Sequence, residues 1–124
     1  MEVEREGVLW LPDNGRQKRA RDTARCPAKL VLLELKTLTI LHTFNFPESI
    51  VPRSGSFLND IALNVADQEN KFAYISDSDR GLLVVFSLRQ DRSWRVSHSA
   101  MRADLSGATF SFLNPPARAR QVAG

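Results

Sequence analysis

The chain has 124 residues, 43% of them hydrophobic and 25% charged, a balance that suits one small folded domain and excludes disorder throughout. Its formal net charge is only +3, and the basic excess sits in "GRQKRARDTAR" (15–25) and "RAR" (118–120) rather than along one periodic face, which argues against a nucleic-acid partner. No window approaches the roughly 18 to 20 consecutive apolar residues of a spanning helix, so no membrane partner is expected either.

The N-terminal stretch "MEVEREGVLWLPDNG" carries acidic residues where an export signal would place a basic region and an apolar run. From there, short runs rich in Val, Ile, Leu, Phe and Trp recur with turn residues between them, and helical spacing is hard to find. This pattern predicts an all-β meander. Strands are expected at about 7–11, 29–35, 39–46, 58–65, 71–76, 82–88 and 93–98. The breaks have turn chemistry: "KT" (36–37), "ADQEN" (66–70), "SDSDRG" (76–81) and "RQDR" (89–92).

The last four strands form a distinct group. "GLLVVFSL" (81–88) is apolar on both faces, while "SWRVSH" (93–98) alternates, with Trp94, Val96 and His98 on one side. A strand covered on both faces and followed by an amphipathic outer edge is the pattern of one β-propeller blade, here complete over 58–98. Residues 7–46 supply three strands of a preceding blade whose inner strand is missing. Residues 109–112 are placed to open a third blade, and 113–124, "LNPPARARQVAG", read as a disordered tail. The fold expected is therefore all-β, a fragment of a propeller.

At this level the sequence resembles a known family. "CPAKLVLLELKT" (26–37), "FPESIVPRSGSFLNDIALNV" (46–65), "FAYISDSDRGLLVVFSLRQDRSWRVSH" (72–98) and "SAMRAD" (99–104) are similar to the yellow and major royal jelly protein family. The resemblance runs from about residue 7 to 112. It implies a six-bladed propeller, of which this chain is about a third, and an extracellular, secreted protein. It also implies roles in pigmentation and the melanin pathway: dopachrome conversion in some members, and binding of small aromatic amines or catechol-derived ligands in others. The family places a cysteine just before its Gly-x-Leu-Trp, where this chain has Glu6. The disulfide that Cys26 would join is accordingly lost, or its partner lies outside the chain.

The innermost strand of a blade lines the central channel, which makes Asn59 and Asp60, at the start of such a strand, the candidate ligand-binding residues. Asp77, ending the next strand, is the third. The alternative for Asn59 and Asp60 is that they satisfy backbone groups at the strand entry. For Asp77 it is a turn cap shared with Ser78 and Asp79. Strict alternation puts Asp60 with Ala62 and Asn64, and Asn59 with Ile61, Leu63 and Val65.

His42 and His98 have no nucleophile or carboxylate at a useful spacing, and packing is expected of them. Trp10, Phe72, Tyr74, Phe86 and Trp94 are expected to pack blade against blade. No Gly-rich phosphate loop, metal motif or nucleophile elbow is present, so no cofactor, no metal and no catalytic residue is assigned. The reading is a small-molecule-binding member of the family. The alternatives are a lactonase-like or dopachrome-converting enzyme that uses Asn59, Asp60 and Asp77, and a truncated product without function. Alone, a piece with two bare apolar faces is expected to self-associate.

Overall fold

A computed structural model of the protein describes residues 1–16, 23–102, 109–110 and 120–121. Two four-stranded antiparallel sheets make up its body, and in each the spatial order is the chain order. The first contains β1 (Glu2–Val3), β2 (Val8–Asp13), β3 (Lys29–Glu34) and β4 (Thr39–Asn45). The second contains β5 (Leu58–Asn64), β6 (Phe72–Asp77), β7 (Leu82–Ser87) and β8 (Arg92–Val96). Every strand predicted between residues 7 and 98 is present. These are two successive blades.

The differences lie at the edges. The inner strand expected to be missing from the first blade is present as β1, where Glu2 and Val3 pair with Trp10 and Leu9. Two residues ahead of an acidic turn give no alternation by which to recognise a strand. At the other end β8 stops at Val96, so His98 does not share the apolar side of an outer strand. Its Nδ1 instead accepts from the Ala100 amide at 3.1 Å and caps a single 3-10 turn, Ser99–Met101. β9 (Thr109–Phe110) stands where a third blade was expected to open, and it pairs with β10 (Arg120–Gln121). β10 falls within the stretch expected to be a tail, the rest of which lies outside the described residues.

Three hairpins repeat one solution. The loops at 35–38, 78–81 and 88–91 each end in a left-handed residue: Leu38 (φ 54°), Gly81 (φ 64°) and Asp91 (φ 49°). That residue reverses the chain with the twist that antiparallel partners need. Glycine takes the conformation freely and aspartate with little strain, whereas leucine pays a steric penalty. The longer β5–β6 loop is held by Asp67, whose Oδ1 accepts from the Glu69 amide at 2.9 Å and whose Oδ2 accepts from Asn70 Nδ2 at 2.8 Å.

The core is the seam between the sheets. Trp10, Leu30 and Leu32 from the first meet Ile61, Ala73, Ile75, Val84 and Phe86 from the second. Phe86 is wholly buried and central. Its ring lies 4.7 Å from Phe44 and 6.3 Å from both Trp10, edge-on, and His42, stacked. The expectation that Trp10 and Phe86 pack blade against blade is met, while Phe72, Tyr74 and Trp94 cluster on the opposite face of the second sheet.

Polar links pin the seam at its margins. At one end Lys71 Nζ reaches Glu4 Oε2 at 2.9 Å, and Glu4, a buried carboxylate, also accepts from Trp10 Nε1 at 3.3 Å. At the outer side His42 Nε2 meets Asp91 Oδ1 at 2.8 Å across the two blades. The carboxylate that sequence spacing did not offer His42 thus arrives from the neighbouring blade.

Removing one member of the buried pair strands the other. Lys71→Met leaves Glu4 charged and buried without its cation, and is expected to cost about 3–5 kcal/mol, read as a shift of the denaturation midpoint in urea. The double variant Glu4→Gln/Lys71→Met should recover most of that loss, because no unpaired charge remains.

Asp67 titrates below the ordinary carboxylate range, because the Asn70 side chain and then the Glu69 amide hydrogen-bond its charged form. A depressed folded pKa contributes stability above the unfolded pKa that is lost as pH falls through the folded one. NMR titration should therefore place the Asp67 midpoint below that of Asp67 in the denatured chain, and Asn70→Ala should raise it.

Candidate functional site

The inner strands β1 and β5 stand side by side, and the space in front of them is where a propeller keeps its channel. β5 begins irregularly. Leu58 pairs with Asp77 and Ile61 with Ile75, so Asn59 and Asp60 together oppose the single residue Ser76. This is a β-bulge, which redirects side chains at its site. Strict alternation fails here, and its failure puts both Asn59 and Asp60 on the exposed side, between buried Leu58 and buried Ile61.

The three candidates then part company. Asp60 folds back on its own strand: its Oδ1 accepts from the Ile61 amide at 2.9 Å, and its amide donates to Ser76 Oγ at 3.1 Å. Asn59 is exposed, with no side-chain hydrogen bond among the described residues. Asp77 is 1% exposed and faces inward.

Asp77 ties three segments together. Its Oδ2 accepts from the Ser56 hydroxyl, and its Oδ1 accepts from the amides of Phe57 at 3.0 Å and Arg80 at 3.2 Å. The Gly81 amide donates to its backbone carbonyl at 2.9 Å. One carboxylate therefore fixes both the entry to β5 and the β6–β7 turn. The capping role foreseen with Ser78 and Asp79 is filled by Ser56, Phe57 and Arg80.

A second clasp comes from the first blade and was not foreseen. The Asn14 side chain mimics a strand: its Nδ2 donates to the Leu58 carbonyl at 2.9 Å, and its Oδ1 accepts from the Leu58 amide at 2.7 Å. Arg16 Nη2 donates to the Ser56 carbonyl beside it. The bulge is thus gripped from both sides. Nothing local in "PDNG" (12–15) names Leu58, forty-four residues on, as the partner of Asn14.

One hollow borders the inner strands and another the β6–β7 turn. The first, of about 410 Å³, lies between β1 and β5, lined by Glu2, Val3, Arg5, Ile61, Ala62 and Leu63. The second, of about 250 Å³, lies beside Asp77, with Ser76, Ser78, Leu83 and Met101. Asn59 and Asp60 line neither. Among the described residues no three His, Cys, Asp or Glu side chains stand together as metal ligands. Cys26 is a free, exposed thiol.

A family model described as "Major royal jelly protein" matches residues 1–114. The chain belongs to this family. It is 29% identical over 110 residues to a "Dopaminechrome tautomerase" of Drosophila melanogaster, an alignment covering 88% of this chain and 24% of that protein. It is 28% identical over 120 residues to a "Protein yellow" of Drosophila yakuba, covering 90% and 22%. With a "Yellow-related salivary protein LJM11" of Lutzomyia longipalpis it shares 28% over 105 residues, covering 77% and 26%. The chain spans about a quarter of the length of these relatives. Among the described residues no helix is long and apolar enough to cross a membrane.

Asp77 and Asn59 should behave oppositely on substitution. Asp77→Ala leaves the Ser56 hydroxyl and two amides without their acceptor, and is expected to lower stability by about 1–3 kcal/mol. Asn59→Ala, at an exposed position without a partner, should stay within about 0.5 kcal/mol of the parent. Urea titration of both variants checks the pair.

Proposed function

We propose that these two blades form part of the wall of a small-molecule-binding propeller, with the bulge at Asn59 and Asp60 facing the ligand. The protein is secreted and serves pigment or melanin chemistry, and its ligand is a small aromatic amine or a catechol-derived molecule. The single observation that carries this reading is the bulge itself. It turns an unpartnered amide outward from the inner strand, while Asp77 and Asn14 hold the backbone beneath it rigid. A hydrogen-bonding group on a fixed backbone suits recognition, because little freedom is lost when a ligand arrives. Family membership supports the ligand class, and the salivary relative supports secretion.

A catalytic reading has one observation in its favour, the similarity to a protein named for tautomerising dopaminechrome. Tautomerisation moves a proton between two positions of one molecule and needs a group to accept and return it. Asp60 is the exposed carboxylate of the bulge, and it supplies that group in this reading.

Both readings are tested on a complete propeller carrying these blades. Calorimetry with dopamine and serotonin should show binding that Asn59→Ala weakens, by about three- to tenfold for one lost hydrogen bond, with the melting temperature unchanged. Unaltered affinity in Asn59→Ala overturns the assignment of the bulge. In parallel, dopaminechrome absorbance is followed with the parent and with Asp60→Asn. Loss above the spontaneous rate that disappears in Asp60→Asn supports catalysis over binding alone.

A further inference from the structure

Asn14 is followed by Gly15, and this is the single Asn–Gly pair of the chain; the other five asparagines precede Phe46, Asp60, Val65, Lys71 and Pro115. Such a pair carries its own reaction. The glycine nitrogen, unhindered by a Cβ, attacks Cγ of the asparagine side chain: an N–Cγ bond forms, the Cγ–Nδ2 bond breaks, and the proton of the attacking nitrogen leaves with Nδ2 as ammonia. Water then opens the five-membered imide at either carbonyl, giving aspartate or isoaspartate. Nothing is oxidised or reduced, and water is the only co-reactant.

In the folded chain both reacting groups are engaged. Asn14 Nδ2 donates to the Leu58 carbonyl at 2.9 Å, and its Oδ1 accepts from the Leu58 amide at 2.7 Å. The Gly15 amide donates to Asp13 Oδ1 at 2.8 Å, and the Gly15 carbonyl accepts from the Cys26 amide at 3.3 Å. For the nitrogen to reach Cγ, the Asn14 side chain must leave Leu58 and Gly15 must turn from Asp13 and Cys26. Contact between the blades thus restrains a reaction within one of them.

We propose that Asn14 is a deamidation site guarded by the seam, and that its conversion irreversibly releases Leu58, with the bulge beyond it, from the first blade. The product cannot rebuild the clasp. Aspartate has no Nδ2 hydrogen, so the Leu58 carbonyl loses its donor and meets a carboxylate in its place. The new charge also stands beside Asp13, whose cation is Lys29 at 3.5 Å. Isoaspartate adds a backbone carbon where Gly15 already presses on the Cys26 carbonyl.

The test uses a complete propeller carrying these blades, held at mildly alkaline pH with and without denaturant. Trypsin cuts after Arg5 and Arg16, so residues 6–16 emerge as one peptide, in which mass spectrometry reads the gain of one mass unit at Asn14. In denaturant Asn14 should convert ahead of Asn45, Asn59, Asn64 and Asn70. In the folded protein its rate should be at least about tenfold lower, because two hydrogen bonds to Leu58 must open first. Asp77→Ala leaves the Asn–Gly pair untouched and loosens Ser56 and Phe57 just ahead of Leu58. It should raise the folded rate by about three- to tenfold, with circular dichroism confirming the fold; where it is unfolded, Ser56→Ala replaces it. Asn14→Asp, made directly, should speed amide hydrogen exchange over residues 56–60 by about three- to tenfold, for one lost hydrogen bond.

Four results overturn the inference. Equal conversion in folded and denatured protein shows that Leu58 guards nothing. Faster conversion of another of these asparagines in denaturant removes Asn14 as the site. Protection unchanged in the folded Asp77→Ala or Ser56→Ala protein shows that Gly15 alone restrains the reaction. Unaltered exchange in Asn14→Asp shows that the clasp survives the product.

Discussion

Everything in this molecule rests on one constraint: a blade is a sheet that is apolar on both faces, so it is stable only between two neighbours. Phe86 shows how the constraint is met. It comes from β7, whose buried residues point both ways, and its ring fills the space framed by Trp10, His42 and Phe44. At about 25 cal/mol per Å² of apolar surface, seams of this kind dominate the favourable side of folding. The hairpins supply geometry, and the seam supplies the driving force.

Polar groups then decide what the seam leaves undetermined, which is how the two sheets align along it. Apolar contact is non-directional and tolerates sliding, whereas hydrogen bonds do not. The Lys71–Glu4 pair fixes one end, Asn14 grips Leu58 at the other, and His42 meets Asp91 at the outer side. Each joins residues of different blades. Burying a carboxylate such as Glu4 is costly, and a fixed registry between the blades is what it brings in return.

Much of this was legible in the sequence. Val, Leu and Phe runs of strand length with turn residues between them specify a meander without ambiguity, and the double-sided character of "GLLVVFSL" marks a blade rather than a sandwich strand. Local patterns carry that much. What they do not carry is any pairing between distant residues. Nothing in "EVERE" distinguishes Glu4, which is buried, from Glu2 and Glu6, which are not, because Lys71 sets the difference from the neighbouring blade. The bulge escaped for a related reason. Alternation rules assume one residue opposite one residue, and Ser76 faces two. Asp77 was recognised as a candidate but for the wrong partners, since Ser56 and Phe57 lie twenty residues upstream.

The β2–β3 connection has a narrow neck. Gly15 (φ 68°) lies so close to Cys26 that an added Cβ would stand 2.2 Å from the Cys26 carbonyl oxygen, and the Cys26 amide donates back to the Gly15 carbonyl at 3.3 Å. Only glycine fits there. Any side chain at position 15 would have to push the Cys26 carbonyl aside, two residues from Ala24, whose amide donates to the Arg53 carbonyl at 2.9 Å and ties the returning chain to the segment ahead of β5. The connection therefore tolerates no bulk at its entrance, and a change there is felt at the approach to the second blade as well as the first.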